Sequence, residues 1–282
     1  MIKDIYRFLN PRIQKLYLEY RVALLPRYGH GKPAHPELLA IIESGRAKYR
    51  ETISSILRLK EYIREINDKE SETSKLEPVW NNGYMPGLDM VSLYSLISVF
   101  KPAKYIEIGS GNSTKVAYRA KRDHCTELEI ISIDPSPRTN IDSLINKRIE
   151  EPLEKISLNL PDALSENDIV SVDGSHRVLP NSDSTVFFLE ILPRLKKGVI
   201  VHIHDVYLPY DYPQIMCERF YSEQYCLAVW LLANPDKFEI IMPNYFISQD
   251  EELSHLVSPV WDHINLKNIE RHGCSFWFRI AE

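Results

Sequence analysis

Two short segments carry the residue types best suited to chemistry. The first, KYIEIGSGNST, is an apolar run with an acid, Glu107, followed by Gly109 and Gly111. The second, IISIDP, is another apolar run and carries Asp134. Their separation suits a strand, a returning helix and a neighbouring parallel strand. Because glycines let a ligand approach the backbone closely and Asp134 can accept hydrogen bonds from a ribose diol, the pair predicts a nucleotide-type cofactor site.

The turn after the first segment supplies most of the predicted cofactor contacts. Its backbone amides would open the next helix and point at an anionic group. A dinucleotide fingerprint, G-x-G-x-x-G, needs a third glycine where this chain has Thr114. The sequence thus favours a different nucleotide-type cofactor over a dinucleotide or an unliganded turn. The predicted cofactor residues are Glu107, Gly109, Ser110, Gly111, Asn112, Ser113, Asp134 and Asp173.

Two later segments also end in polar side chains. SVDGSH carries Asp173 and His176, and VHIHDV carries His204 and Asp205 after an apolar run. In doubly wound sheets, ligands bind outside the carboxyl ends of the strands, so these four side chains are expected to meet at one edge. His202 lies inside the apolar run and is expected to be an interior, hydrogen-bonded histidine.

Two chemistries could use this group of side chains. In general base catalysis, a histidine or aspartate removes the proton of an acceptor hydroxyl or amine, and the catalytic candidates are His204, Asp205 and His176. In the metal-assisted alternative, Asp173, His204 and Asp205 hold a divalent ion that lowers the pKa of an acceptor oxygen. An imidazole ligand favours softer ions over Mg²⁺. The sequence leaves both chemistries open.

Alternating apolar strands and helices must position these groups. From residue 88 onward the pattern predicts strands at 104–108, 128–133, near 147–150, 168–172, 198–204, 238–242 and 275–280. Helices are predicted at 89–100, 112–122, 182–195 and about 214–233. Such alternation is typical of an α/β fold, here a doubly wound, mostly parallel seven-stranded sheet.

Residues 1–75 differ from the rest and are predicted to form a helical appendage to a second domain at 78–282. Residues 4–24 are expected to form a helix that is interrupted or started at Pro11. A long helix with one apolar face is expected from Pro36 to about residue 67. The predicted role of the appendage is packing or homodimerisation, with a lid over the substrate as the alternative.

Bulk composition narrows the class of partner. A net charge of −5 over 282 residues, with no basic run, argues against nucleic-acid binding as the main task. The longest apolar stretch falls far short of the ~20 residues that a membrane span needs, and the N-terminus has no continuous apolar region typical of a secretory signal. Four cysteines lack C-x-x-C or metal-finger spacing. We expect a cytoplasmic protein that acts on a small-molecule acceptor, without nucleic-acid or membrane partners.

The motifs EIGSGNST, SIDP, SVDGSH and VHIHD together resemble the class I S-adenosylmethionine-dependent methyltransferases, in the branch with D-G-x-H and H-D strand ends. The resemblance implies a Rossmann-like fold with S-adenosylmethionine as cofactor. It places the methionyl part against the glycine turn and the ribose hydroxyls against Asp134. The implied reaction is methyl transfer to a small polar acceptor, at an oxygen.

The resemblance also leaves alternatives open. Catechol-type O-methyltransferases hold magnesium with acids after strands four and five, but here His204 and Asp205 replace the usual Asp-Asn pair. One alternative is therefore a related cofactor-binding enzyme with metal-dependent chemistry other than methyl transfer. Another is a non-catalytic partner protein that assembles through its N-terminal helices.

Overall fold

The apolar runs form one seven-stranded sheet in the computed structural model. The strands are β1 Lys104–Ile108, β2 Glu129–Ile133, β3 Lys147–Ile149, β4 Ile169–Val172, β5 Ile200–Ile203, β6 Phe238–Pro243 and β7 Phe276–Ile280. Their order across the sheet is β3-β2-β1-β4-β5-β7-β6. β1 to β5 pair in parallel, and β7 runs antiparallel to both of its neighbours. The predicted α/β fold with a mostly parallel sheet is confirmed.

The structure describes residue 6 and residues 8–11, 14–137, 139–156, 159–266 and 268–282. Within them the helices are α1 Pro36–Ser44, α2 Arg46–Leu57, α3 Lys60–Arg64, α4 Gly87–Phe100, α5 Asn112–His124, α6 Asp183–Val186, α7 Gln214–Cys217, α8 Glu223–Ala233, α9 Asn244–Gln249 and α10 Glu251–Val257. α6 continues as a π-helical turn at Phe187–Ile191. No helix in this part of the chain is long and apolar enough to span a bilayer.

The central strands β4 and β5 and the helix α4 are the most completely buried elements near the site. Every residue of β4 and β5 is buried, as expected for inner parallel strands covered on both faces. α4 is apolar nearly all round and is buried from Gly87 to Ser98, with α5 packed against it. Asp89 is its one charged residue. A buried carboxylate in such a helix requires polar partners, and these lie at the carboxyl edge of the sheet.

Two predicted helices are shorter than expected. The helix expected from Pro36 to about residue 67 is divided into α1, α2 and α3. The first of them ends at Gly45, whose N–H donates to the carbonyl of Ile42. The helix expected at 214–233 is divided into α7 and α8, with Phe220 in the left-handed region between them. The helix predicted at 4–24 is wrong for residues 14–24, which are not helical, and residues 4, 5, 7, 12 and 13 lie outside the described residues.

The N-terminal helices lie on the sheet domain. α2 contacts α4, β6 and α10. The apolar face predicted for this region is buried in the same core as the strands; it consists of Leu38, Ile42, Tyr49, Ile53, Ile56, Ile63 and Ile66. Homodimerisation through these helices stays a prediction.

Candidate active site

The glycine turn, residues 109–113, joins β1 to α5. Gly109 has φ +80°, and a Cβ there would overlap the carbonyl oxygen of Asp173. The N–H of Asp173 in turn donates to the carbonyl of Ile108 at 2.9 Å, so the ends of β1 and β4 are in close contact. At Gly111 no atom lies within 4 Å of the Cβ position, which leaves that side of the turn open to a ligand.

Glu107 is connected to this turn by hydrogen bonds through Thr114. It is fully buried, and its carboxyl accepts hydrogen bonds from Thr114 Oγ1 at 2.5 Å and from the Tyr105 hydroxyl at 3.1 Å. Thr114 Oγ1 accepts the N–H of Gly111 at 3.1 Å. Burial raises the pKa of Glu107 to about 7. Glu107 therefore reaches the turn through Thr114.

A first cavity of 410 Å³ lies beside the ends of β1, β2 and β4. Asp134 lines it, and its carboxylate accepts the backbone N–H of Ser110 at 2.8 Å and of Ser136 at 2.7 Å. Leu153 and Glu154 close the far wall. The carboxylate of Asp134 is thus held in one orientation at the edge of an open space.

A second cavity, also of 410 Å³, lies on the other side of the glycine turn. The start of α5 and the segment 69–85 form its walls. Ser110 and Asp173 line both the first and the second cavity. All predicted cofactor residues except Glu107 therefore line at least one of the two, namely Gly109, Ser110, Gly111, Asn112, Ser113, Asp134 and Asp173.

A third cavity, of 460 Å³, opens beside the end of β5. Asp205 and Cys274 lie on its wall together with Tyr207. Tyr84 and Met85 line both this cavity and the second one. Asp173 therefore lines the second cavity and Asp205 the third, and the two cavities are separated by Tyr84 and Met85.

His176 lies behind these two carboxylates. Its Nδ1 is 2.5 Å from Glu223 Oε1, and its Nε2 is 3.3 Å from Asp173 Oδ1 and 3.5 Å from Asp205 Oδ2. The ring also stacks on Tyr221. Burial acts to lower the pKa of His176, but Glu223 and Asp173 outweigh it and raise the pKa well above the ordinary value. The ring is therefore an imidazolium that joins three carboxyl groups.

His204 makes a similar set of contacts from β5. Its Nε2 is 3.2 Å from Asp89 Oδ2, while Nδ1 is 3.6 Å from Asp205 Oδ1 and 3.8 Å from Asp173 Oδ1. Burial opposes the positive charge, but the surrounding Cys274 sulfur and carboxylates raise the pKa of His204 well above its ordinary value. Neither His176 nor His204 lines the three cavities described here, whereas Asp205 does.

His202 is the interior histidine that the sequence predicts. Its Nδ1 is 2.8 Å from Ser171 Oγ, its Nε2 is 2.8 Å from Ser275 Oγ, and its ring stacks on Trp277. Burial lowers the pKa of His202 to about 3, so the ring is neutral. It ties β5 to its neighbours β4 and β7.

Three side chains of the site were missed by sequence reasoning: Asp89, Glu223 and Cys274. In the sequence Glu223 is one more acid in the first turn of a helix, but in the structure it is fully buried against His176. Asp89 Oδ1 accepts three hydrogen bonds, from the Asn244 side chain and from the backbone N–H groups of Cys274 and Ser275. A charge in an otherwise apolar helix is the signal that could have identified Asp89.

The structure also bears on which residues could hold a metal ion. Asp173, His204 and Asp205 are the predicted ligands, and both carboxylates face Nδ1 of His204 at 3.6–3.8 Å. Among the described residues, a different group has donor atoms that all lie within 4.8 Å of one another: Asp89, His204 and Cys274. In this second group His204 would offer Nε2 to an ion, whereas in the predicted group it would offer Nδ1.

Residues 106–206 match a family model described as a methyltransferase domain. This part of the chain, about a third of its length, is therefore similar to a methyltransferase domain. This match begins within β1, runs past the end of β5, and agrees with the resemblance of the motifs to class I methyltransferases. A search of curated proteins finds no match.

Several solved methyltransferase structures are similar to the chain. PaMTH1 from Podospora anserina, bound to SAH, is 16% identical, with 90% of this chain and 100% of that chain covered and a TM-score of 0.42. An O-methyltransferase from Bacillus cereus in complex with SAH is 12% identical, with 82% and 91% covered and a TM-score of 0.40. TomG, an O-methyltransferase from Streptomyces achromogenes in complex with SAM, is 16% identical, with 67% and 78% covered and a TM-score of 0.38.

Proposed function

We propose that this methyltransferase moves a methyl group from S-adenosylmethionine to an oxygen of a small polar acceptor, with Asp205 as the general base. The observation that carries the proposal is the arrangement of carboxylates at the sheet edge. Asp134 and Asp173 face the two cavities beside the glycine turn, and Asp205 faces the third cavity.

The first two cavities suit the two ends of the cofactor. Asp134 would accept hydrogen bonds from the ribose hydroxyls in the first cavity. The amides at the start of α5 would bind the carboxylate of the methionyl group, since a helix N-terminus favours an anion. Asp173, which lines both cavities, would lie near the positively charged sulfonium.

The third cavity suits the acceptor. Its walls combine the aromatic rings of Trp80, Tyr84 and Tyr207 with the carboxylates of Asp205 and Glu270. Apolar walls with a few polar groups are typical of small-molecule pockets. A small acceptor with both an apolar body and hydroxyl groups fits this lining best.

The reaction itself needs alignment and one proton acceptor. S-adenosylmethionine, held by Asp134, Asp173 and the amides at the start of α5, would supply an activated methyl group; transfer of that methyl to the acceptor oxygen would leave the carbon–sulfur electron pair on sulfur, as a neutral thioether. Asp205 would take the acceptor proton. Asp205 is preferred over the histidines because both rings already hold protons and lie off the cavity walls. His176 and His204 fix the Asp205 carboxylate from behind and are positioning residues.

The experiment begins with calorimetric titration of the wild-type chain with S-adenosylhomocysteine. A screen of small hydroxylated compounds, followed by release of S-adenosylhomocysteine, then identifies an acceptor. With that acceptor, Asp205→Asn should lower kcat by about 10²–10⁴-fold, the usual contribution of a general base. Its affinity for S-adenosylhomocysteine should stay unchanged.

The matched control is Asp142→Asn, which changes an exposed aspartate that pairs with Arg148 away from the three cavities. It should keep both affinity and turnover. No binding of S-adenosylhomocysteine to the wild type would overturn the proposed function. Full turnover by Asp205→Asn would remove Asp205 as the base and leave the cofactor assignment standing.

A further inference from the structure

Three side chains of types that can bind a metal ion lie together next to the third cavity, and one of them, Cys274, lines it. Asp89 comes from α4, His204 from the end of β5, and Cys274 from the residues before β7. All three are buried. An acid, an imidazole and a thiol from three distant parts of the chain are thus packed against one another in the interior.

The spacing of their donor atoms matches three corners of a tetrahedral site. Asp89 Oδ2 lies 3.2 Å from His204 Nε2 and 3.3 Å from Cys274 Sγ, and Nε2 lies 3.8 Å from Sγ. Bonds of about 2.0–2.3 Å to oxygen, nitrogen and sulfur in a tetrahedron place the ligand atoms roughly 3.3–3.7 Å apart. An ion would fit between these atoms with little movement.

The surroundings orient the same three atoms. Asp89 Oδ1 accepts from Asn244 and Ser275, and Oδ2 accepts the backbone N–H of Cys274 at 2.9 Å, so the carboxylate is fixed with Oδ2 near His204 Nε2 and Cys274 Sγ. The other ring nitrogen of His204 faces the Asp205 carboxylate at 3.6 Å. Metal-bound histidines commonly have a carboxylate or carbonyl at that second nitrogen, where it fixes the tautomer and the ring orientation.

We propose that Asp89, His204 and Cys274 bind a zinc-type divalent ion. The mixed oxygen, nitrogen and sulfur set suits Zn²⁺ or Co²⁺ and disfavours Mg²⁺, which prefers oxygen ligands. On binding, the ion replaces the thiol proton and the imidazolium proton, and both protons leave to solvent. The net charge of the buried site is therefore unchanged.

The ion would have three protein ligands and one open position. Cys274 lines the third cavity beside Asp205, so the open position would face the space assigned to the acceptor. Three protein ligands with an exchangeable fourth position are typical of catalytic zinc. The ion would lower the pKa of an acceptor hydroxyl bound there, and Asp205 would take the proton. This role in turnover rests on the proposed function, whereas metal binding itself does not.

The test is a titration of the metal-free 282-residue chain with Co²⁺, followed by displacement with Zn²⁺. We expect about one equivalent of Co²⁺ with tetrahedral visible bands and a thiolate-to-cobalt charge-transfer band. Cys274→Ser should abolish the charge-transfer band and weaken Co²⁺ binding by at least about 100-fold, because a direct ligand matters at least as much as the groups behind it. The matched control is Cys125→Ser, which removes another free thiol and should bind as the wild type does.

The wild-type titration decides the proposal even where the serine variant does not fold. A folded wild-type chain that gives no saturable thiolate-to-cobalt band would overturn it. A band that survives in Cys274→Ser would overturn it as well. Calorimetry with S-adenosylhomocysteine on the same sample separates the two proposals, since the cofactor can bind without the ion and the ion without the cofactor.

Discussion

At the ends of β1 and β2, the groups that line the cavities come largely from residues close together in the chain, in the glycine turn and around Asp134. At the ends of β4 and β5, they are side chains drawn from distant elements. This ionisable network consists of Asp89, Asp173, His176, His204, Asp205, Glu223 and Cys274. The glycine turn thus depends on local chain geometry, whereas the network depends on the whole fold.

The glycine turn and the ionisable network are stabilised in different ways. Backbone amides at a helix start carry only partial charges and need little support. Full charges in the interior are stable only when paired and hydrogen-bonded. His176 and His204 meet that need, since each ring lies between carboxylates. We therefore expect substitutions in the network to reduce stability, and substitutions at the glycine turn to reduce ligand affinity.

The largest effect on stability is expected from Glu223→Ala. This change removes the carboxyl group that contacts His176 at 2.5 Å and accepts from Ser184 at 3.2 Å. Breaking a buried pair in this way lowers the free energy of unfolding by about 3–5 kcal/mol. Denaturant unfolding of the ligand-free chain measures the loss.

Glu218→Ala is the matched control, because Glu218 is an exposed acid close by in the sequence. It should leave stability near that of the wild type. If Glu223→Ala is as stable as the control, Glu223 does not support the network, and the contrast between the two regions fails.

An intermediate effect is expected from Glu107→Gln, because Glu107 is a buried acid beneath the glycine turn. Its folded-state pKa is about 7, against 4.5 in the unfolded chain. Between these values the folded chain keeps a proton that the unfolded chain releases, so wild-type stability falls as pH rises, by about 3 kcal/mol in all. The glutamine variant lacks this slope.

Unfolding free energies of both chains between about pH 4.5 and 8 test this prediction. As pH rises through this window, the free energy of unfolding of the wild type should fall relative to that of Glu107→Gln. The exposed Glu127→Gln is the matched control. A difference that is constant with pH would mean that Glu107 ionises in the folded chain as it does in the unfolded one.

The smallest effect is expected from Asp134→Ala. The change removes the predicted partner of the ribose hydroxyls and should weaken S-adenosylhomocysteine binding by about tenfold or more, with little change in stability. Calorimetric titration measures the affinity, with Asp142→Ala as the exposed control. Unchanged affinity would remove Asp134 from the ribose site.

The contrast also explains what could be predicted from sequence. The glycine turn and Asp134 form motifs because their residues are close in the chain, and the strands delivering them are continuous apolar runs. Periodicity likewise gives the buried face of the N-terminal helices, although it does not show that Gly45 ends a helix.

The network could be predicted only in part. Asp173, His176, His204 and Asp205 follow predicted strands, so the sequence places them at one edge. Asp89 and Cys274 lie 185 residues apart and meet only because the first turn of α4 hydrogen-bonds to the segment before β7. Glu223 resembles any acid in the first turn of a helix until the fold buries it.

The position of β7 has a consequence for how the chain folds during synthesis. β6 precedes β7 in sequence but reaches the sheet only through β7, which pairs with β5 on its other side. Until β7 has been synthesised, β5 has an exposed edge and β6 has no partner in the sheet. Unpaired edges of this kind promote association between chains. The interval between synthesis of β5 and insertion of β7 is therefore when β5 and β6 are open to pairing with another chain.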